Sequence, residues 1–381
     1  MRAWQLFILS ITLLGCASGN RIEHPAPDKN ALAHALGPSE KIFSLYLVGD
    51  AGYASRDPLS LTLKTLQQHI HQADSSSALV YLGDNCYPKG LPPPSSSRFK
   101  RCKKTLDAQL KILQDYAGKV YFISGNHDWK SSGRKGWEQV IRQEQYIESK
   151  LQRGNTFVPD SGRPGPVNLP ITIPRSDSDS SITIQLIALD SQWWLHPHRK
   201  PYAQTADHEE RQKKIFTRQL SEMIDRTNDQ RTVLIGHHPV FSTARHGSKF
   251  RLSAHLLPPV FGSLYVLYRK IWGLPQDIAH RTYQTYKNAL LTAMDHHPGL
   301  IYASGHEHNL QYIPIQRDST TRQHFIISGA GSDARYVKHK PPLQYGKNTR
   351  GFAEIAFYKD QLRTLTFWDY TGKKIYQTVL K

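Results

Sequence analysis

The chain has 381 residues, of which 39% are apolar, so it can bury one large hydrophobic core or two medium ones, and it is not an intrinsically disordered protein. Its 49 lysine and arginine residues exceed its 31 acidic residues and give a formal net charge of +18. This excess favours anionic partners such as phosphate esters, nucleic acid or acidic lipid. Charge alone does not choose between them, because a solvated basic surface has the same composition.

The first residues predict a lipoprotein signal. An apolar run from Ala3 to Leu14, too short to span a bilayer, leads into the letters LLGC. This ending resembles the lipobox of bacterial lipoproteins, in which cleavage leaves Cys16 as a lipid-carrying N-terminus. A plain secretory signal or an uncleaved anchor is the alternative.

We therefore expect a signal peptide over residues 1–15 and a tether over 16–40. The mature protein would be lipid-anchored in the cell envelope. Ala17 stands where a sorting-retention aspartate would otherwise follow the cysteine, which favours the outer membrane, with the protein facing the periplasm or the exterior.

Strands and helices alternate after the tether, which predicts an α/β domain over 41–381 with a mostly parallel sheet. Apolar runs predict the strands, and the 3.6-residue periodicity predicts the helices. The predicted strands are 42–48, 78–82, 120–124, 169–173, 182–189, 232–235 and 300–303; the predicted helices are 58–72, 99–116, 137–151 and 207–225. The tail from 325 to 380 predicts further strands joined by turns.

An apolar insertion near 247–280 departs from this alternation. Its central part, 250–274, combines aliphatic and aromatic residues with flanking arginine and lysine. Two interpretations remain open: a lid or membrane-facing hairpin, or an insertion that packs on its own domain. Its prolines and its length exclude a membrane span.

The three cysteines divide into Cys16, assigned to the lipid, and the pair Cys86 and Cys102. In an oxidising periplasm this pair could form a disulfide, and a buried unpaired thiol is the alternative. Cys86 is not expected to bind metal, because neighbouring residues of an extended segment point to opposite sides and Tyr87 offers the better donor.

Metal-binding side chains follow five of the predicted strands, at the point where each strand ends. At each of the five a glycine precedes the first of these side chains, and glycine allows the backbone to turn sharply and approach a site closely. Strand ends are also where an α/β sheet exposes chemistry. The residues are Asp50, Asp84, Asn126, His127, His237, His306 and His308, with Tyr87 three residues after Asp84.

The donor types favour two hard cations, because carboxylate, phenol, amide and imidazole are present and no thiolate is required. Asp84 can bridge two cations through its carboxylate. Two metals that share a bridging carboxylate clamp the attacking and leaving oxygens of a displacement at phosphorus. The sequence therefore predicts phosphate ester hydrolysis.

The order GDAG, GDNCY, GNHD, GHH and GHEH resembles the calcineurin-like metallophosphoesterases, and specifically the purple acid phosphatases of the mammalian tartrate-resistant type. The resemblance covers 41–381 and implies a four-layer α/β/β/α sandwich with two facing mixed sheets. It implies a metal-dependent acid phosphatase that hydrolyses phosphomonoesters by attack of a metal-bound hydroxide. The alternatives are a phosphodiesterase with the same dimetal core and a basic, non-catalytic binding lipoprotein. No nucleic-acid partner is expected.

The resemblance also implies a ligand set for each metal. Asp50, Asp84, Tyr87 and His308 would hold the first; Asp84, Asn126, His237 and His306 would hold the second. Wider family members have a histidine where this chain has Gly52, and Tyr87 would supply the missing donor. A tyrosinate implies Fe(III) at the first site, with Fe(II), Zn or Mn at the second.

Three further residues match the family's catalytic machinery. His127 would stabilise the transferring phosphoryl group or protonate the leaving oxygen, and Asp128 would orient it. His246, nine residues after His237, would be a second substrate-facing histidine, and a surface histidine at the mouth of the insertion is the alternative.

Overall fold

The structure is a computed structural model that describes residues 39–53, 60–174, 181–250, 254 and 261–381. The signal peptide, Cys16 and nearly all of the tether lie outside the described residues, as do 251–253 and 255–260 of the insertion. Lipidation at Cys16 therefore stays a prediction. Among the described helices, none combines the length and the apolar character that a membrane crossing requires.

The first of two mixed sheets joins the N-terminal strands to the C-terminal ones. Its members are β1 (Lys41–Val48), β2 (Ser77–Tyr81), β3 (Lys119–Phe122), β11 (Gly351–Tyr358), β12 (Arg363–Asp369) and β13 (Lys374–Val379), in the order β13-β12-β11-β1-β2-β3. The pairs β1–β2 and β2–β3 are parallel, whereas β11, β12 and β13 pair antiparallel.

The second sheet contains the strands between them in the sequence. Its members are β4 (Val167–Pro174), β5 (Ser181–Ala188), β6 (Thr232–Ile235), β7 (Ile301–Ser304), β8 (Leu310–Gln316), β9 (Arg322–Ser328) and β10 (Tyr345–Lys347), in the order β10-β8-β9-β7-β6-β5-β4. The run β5, β6, β7 and β9 is parallel, and the outer strands are antiparallel.

Helices connect these strands, and two of them begin after a residue whose side chain caps the helix N-terminus. They are α1 (Leu61–Ala73), α2 (Phe99–Lys111), α3 (Gly136–Leu151), α4 (Ser191–Leu195), α5 (Ala206–Asp225), α6 (Phe261–Ile271) and α7 (Arg281–Ala293). The side chain of Ser60 accepts the N–H of Leu63 (3.3 Å), and that of Thr205 accepts the N–H of His208 (3.2 Å). Both are preferred N-cap residue types.

Successive side chains of a strand point to opposite faces of its sheet, so they enter two different hydrophobic clusters, one between the sheets and one under the helices. In β1, Leu45 and Leu47 belong to a cluster formed by residues of both sheets, whereas Tyr46 and Val48 pack with helix residues such as Leu63 on the outer face. The sheets thus face each other with helices outside, and the four-layer α/β/β/α arrangement is confirmed. The mostly parallel sheet that the βαβ alternation predicted is wrong, because antiparallel strands complete both sheets.

A disulfide joins Cys86 to Cys102, with their Cα atoms 5.7 Å apart. It links the loop after β2 to the first turn of α2. The side chain of Cys86 is buried on the helix-covered side of the first sheet, where it packs in the outer core. The loop that carries Asp84 and Tyr87 is therefore tied covalently to a helix.

His324 in β9 makes folding stability depend on pH. Burial, together with Arg363 and Arg322, lowers the pKa of His324 to about 3. Below pH 6.5 the unfolded chain binds a proton there that the folded chain does not, so stability is lost as pH falls from about 6.5 towards 3. His324→Gln should reduce this loss by up to about 1.4 kcal/mol per pH unit in urea unfolding at pH 7 and pH 5. The matched control is His296→Gln. The side chain of His296 is 86% exposed, so this substitution should leave the loss of stability between pH 7 and pH 5 unchanged.

Candidate metal centre

The loops after β1, β2, β3, β6 and β7 bring the predicted metal-binding side chains into one cluster. Three of these residues have left-handed backbone: φ is 58° at Asp50, 56° at Asp84 and 67° at His306. Non-glycine residues adopt this conformation rarely, and it concentrates at functional sites. It turns each side chain off its strand end and into the cluster.

A first group of donors surrounds the phenol of Tyr87. Its oxygen lies 2.8 Å from Oδ1 of Asp50, 3.0 Å from Oδ2 of Asp84 and 3.0 Å from Nε2 of His308. Every one of these side chains is buried. The four residues expected to hold the first metal are thus in mutual contact.

A second group surrounds the amide oxygen of Asn126. Nε2 of His237 and Nδ1 of His306 are each 3.1 Å from Oδ1 of Asn126, and 3.3 Å from each other. All three side chains are buried.

Asp84 stands between the two groups, and a single oxygen makes the connection. Its Oδ2 is 3.0 Å from the Tyr87 phenol and 3.5 Å from Nε2 of His237. Its other oxygen, Oδ1, accepts the backbone N–H of His127 at 2.8 Å. The carboxylate is therefore fixed by the backbone and presents Oδ2 to both groups.

The tautomers of the histidines test whether these residues fit a cation. Nδ1 of His237 faces the carbonyl of Leu82 (2.8 Å), and Nε2 of His306 faces the carbonyl of Gln276 (3.2 Å). Each of these nitrogens must donate, so the opposite nitrogens carry lone pairs that point at each other and at the Asn126 oxygen. Facing lone pairs repel unless a cation lies between them. The donor set fits a metal.

Burial favours the uncharged forms of His306, Asp50 and Tyr87. Burial and the neighbouring histidines lower the pKa of His306 well below its ordinary value, so its imidazole is neutral. Burial and the Asp84 carboxylate raise the pKa of Asp50 well above its ordinary value. Burial and both carboxylates likewise raise the pKa of the Tyr87 phenol, so a bound cation is required to ionise it.

Two glycines leave the space that the donors fill. A Cβ on Gly125 would lie 2.3 Å from Oδ1 of Asp84. A Cβ on Gly52 would lie 2.5 Å from the carbonyl of Asp84 and 2.7 Å from the ring of Tyr87. A histidine at position 52 is therefore incompatible with the present position of Tyr87, which explains why one residue substitutes for the other.

His127 and Asp128 are both at the site, but their expected contact is wrong. Nδ1 of His127 bonds to the carbonyl of Pro88 (2.6 Å), and its Nε2 lies 3.9 Å from Oδ2 of Asp84. The buried Asp128 instead accepts backbone N–H groups of Asn85 (3.0 Å) and Gly125 (2.8 Å). Asp128 thus holds the two ligand-bearing loops together, and Pro88 orients the imidazole. Burial and Asp84 raise the pKa of Asp128 to about 7.

His246 lies beside the second group of donors, with its ring centroid 4.2 Å from that of His306. Its Nδ1 bonds to Asp277 (2.9 Å), which also forms a buried ion pair with Arg269. Burial opposes ionisation of Asp277, but the bonds from His246 and Arg269 outweigh it and lower its pKa to about 2. The insertion therefore positions His246.

Exposure divides the predicted site residues into two classes. The seven predicted ligands have at most 7% of their surface exposed. The side chains of His127 and His246 are 27% and 20% exposed. These two histidines face the open side of the cluster.

Sequence reasoning missed several residues that orient the site. Gln276 accepts from His306 with its carbonyl and bonds to Nε2 of His238 with its side chain (2.6 Å). Glu307 accepts the Ser242 hydroxyl (2.6 Å) and the N–H of His246 (2.9 Å). Asp333 lies 3.3 Å from Nδ1 of His308. Only Glu307, inside the GHEH motif, had a position in the sequence that could have indicated such a role.

Comparisons with known proteins agree with this geometry. The chain is 22% identical over 343 residues to Tartrate-resistant acid phosphatase type 5 of Sus scrofa, over 86% of this chain and 80% of that protein. It is 21% identical over 350 residues to Purple acid phosphatase 17 of Arabidopsis thaliana, over 90% and 85%. The chain is similar to purple acid phosphatases. No protein-family model matches it.

Solved structures share the fold. The purple acid phosphatase PPD1 from Lupinus luteus seeds matches with a TM-score of 0.50 and 12% identity, over 88% of this chain and 53% of that one. PhoD matches with a TM-score of 0.50 and 12% identity, over 91% and 73%. GAP50, described as the anchor in the inner membrane complex of Plasmodium, matches with a TM-score of 0.52 and 16% identity, over 90% and 89%. These structures show the fold, and the similarity in sequence to purple acid phosphatases supports a phosphoesterase and hence a hydrolase.

Proposed function

We propose that this chain is a dimetal phosphomonoesterase of the purple acid phosphatase type, carried on the cell envelope by a lipid on Cys16. The observation that carries the proposal is the position of Asp84 Oδ2, which faces Tyr87 on one side and His237 on the other. Displacement at phosphorus is one reaction that a pair of metals sharing a carboxylate serves, and the similarity to purple acid phosphatases favours it here.

When bound, the two cations would supply an activated water and neutralise the charge on phosphorus. The residues of the chain perform the remaining tasks. His127 has its Nδ1 held by Pro88, so Nε2 faces the site and can hold a phosphoryl oxygen or protonate the leaving oxygen. His246, oriented by Asp277, offers a second contact to the ester from the opposite loop. The products are an alcohol and inorganic phosphate.

Comparative turnover tests this function. The purified protein should hydrolyse an aryl phosphate monoester with a much higher kcat/KM than the corresponding bis-aryl diester. Chelation should abolish both activities, and adding back metal should restore them. Turnover of the diester that equals or exceeds that of the monoester would replace this proposal with a phosphodiesterase.

Tyr87→Phe tests the metal assignment. A tyrosinate bound to Fe(III) absorbs visible light, so the wild-type protein should be coloured and contain iron, and the variant should lose the band. The fold should survive because the ring of Tyr87, stacked on Tyr53 with centroids 3.9 Å apart, is retained. Tyr53→Phe is the matched control and should keep the colour. A colourless, iron-free wild type would contradict the assignment.

A phosphodiesterase is the second candidate, favoured by one observation. A cavity of about 570 Å³ adjoins His306 and His308 and has room for a second ester substituent. A non-catalytic binding lipoprotein is the third, and GAP50, which shares the fold, is described as an anchor. The complete donor set argues against it, because a binding protein needs no such cluster.

A further inference from the structure

The insertion forms part of the wall of the cavity beside the candidate metal centre. His306 and His308 form its inner end, and Phe250 and Tyr265 form an apolar wall. Both aromatic rings are held by the buried Arg269, whose guanidinium lies 5.0 Å from the Phe250 centroid and 5.7 Å from the Tyr265 centroid. An ester bound at the metals would therefore have an apolar compartment next to its leaving group.

Helix α6 presents an apolar face to solvent. Leu264, Leu267, Tyr268 and Ile271 follow the i, i+3, i+4, i+7 spacing of an apolar helical stripe, which in a globular protein normally packs on the core. Here each is 46–56% exposed, and the following Trp272 is 60% exposed. We refer to these five residues as the exposed apolar face.

The exposed apolar face borders the cavity. Tyr265 and Arg269 line the cavity. Tyr268, three residues after Tyr265, and Trp272, three residues after Arg269, belong to the exposed apolar face. Residues three apart are neighbours on a helix surface. The apolar surface is thus continuous from the solvent side of α6 to the cavity wall.

Cations line the cavity side of this apolar surface. They are Arg245, Lys249 and Arg335. Lys270, in the last turn of α6, adds an exposed cation on the helix itself. Aromatic and aliphatic side chains bordered by lysine and arginine suit an anionic lipid interface.

We propose that the substrate is a phosphomonoester lipid, taken from a lipid surface on which the exposed apolar face of α6 lies, with its apolar part in the cavity. The inference rests on the proposed function, whose substrate class it names. In the reaction the oxygen of water bonds to phosphorus, the bond from phosphorus to the lipid oxygen breaks, and that oxygen takes a proton. The lipid alcohol stays in the membrane and inorganic phosphate leaves.

Binding of soluble alkyl phosphonates tests the cavity without requiring turnover, because hydrolysis does not cleave their C–P bond. Calorimetry on the metal-loaded full chain, below the micellar concentration of each ligand, should show affinity rising about fourfold per added methylene until the cavity is filled. Affinity independent of chain length would overturn the proposal.

Vesicles test the exposed apolar face. Activity is measured on dioleoylglycerol phosphate in phosphatidylcholine vesicles and on a soluble aryl phosphate, and the ratio of the two is compared. Leu267→Glu should lower this ratio by about tenfold or more, because the side chain no longer enters the lipid. Leu61→Glu, at a side chain 44% exposed on α1, is the matched control and should leave the ratio unchanged. Any contribution of a lipid anchor to activity on vesicles is the same in the wild-type protein, in Leu267→Glu and in Leu61→Glu.

The remaining outcomes separate the two proposals. A chain that hydrolyses no ester but binds longer phosphonates more tightly would refute the proposed function and retain the lipid phosphate site. A chain that hydrolyses aryl phosphate while Leu267→Glu leaves the ratio unchanged would refute the lipid substrate alone. A dimer that Leu267→Glu dissociates would show that a second copy covers the face, which also overturns the proposal.

Discussion

Asp84→Asn should lower kcat/KM on an aryl phosphate by at least about 1000-fold, the scale of loss when a central catalytic group is removed. The reason is that Oδ2 of Asp84 faces both donor groups, so an amide weakens the hold on both metals together. Metal analysis of the variant should show loss at both sites.

The same substitution has two opposing effects on the metal-free protein. Asp84 contributes to the raised pKa of Asp50 and to that of Tyr87, which is a repulsion between buried groups. Burial opposes ionisation of Asp84 itself, but the attraction of His237 and His127 outweighs burial and lowers the pKa of Asp84, so the free energy of unfolding of the metal-free protein should change by less than about 1 kcal/mol. Asp115→Asn, at an exposed side chain outside the site, is the control. Unchanged activity in Asp84→Asn would remove the dimetal proposal.

Arg269→Ala should lower the free energy of unfolding by about 3–5 kcal/mol. Both members of the Arg269–Asp277 ion pair are 1% exposed, so the substitution leaves a buried carboxylate without its main counterion. Urea unfolding measures the loss, and activity should fall as well because Asp277 orients His246.

An exposed ion pair provides the comparison for Arg269→Ala. Lys103 and Asp107 are 2.8 Å apart, with side chains 42% and 40% exposed. Lys103→Ala should change stability by less than about 1 kcal/mol. If both substitutions cost the same, the buried Arg269–Asp277 pair stabilises the insertion no more than an exposed ion pair would.

The positions of the donors could be predicted from the sequence because their determinants are local. Gly83, with φ of 87°, lets the chain turn before Asp84, and Gly125 and Gly305 leave room for the carboxylates of Asp84 and Asp50. Tyr87 was predictable for the same reason, since Gly52 leaves the space for its ring.

The supporting contacts could not be predicted, because they depend on the path of the insertion. Gln276 and Asp277 belong to the insertion, and they reach His306 and His246 only when this part of the chain packs beside the site. The expected contact between Asp128 and His127 was wrong for a related reason. Adjacency in the sequence does not set side-chain direction, and backbone N–H groups compete for the carboxylate of Asp128.

The donors come from opposite ends of the chain and from different sheets. Asp50 accepts the N–H of His306 across 256 positions of sequence, and Tyr87 meets His308 across 221. Neither half of the polypeptide holds a complete set of ligands for either cation. Such distant contacts form late in folding, so the cations must enter a chain whose two sheets have already paired. Under the proposed export and the proposed iron site, metal capture would follow translocation, and the supply of iron outside the cytoplasm would set the yield of active molecules.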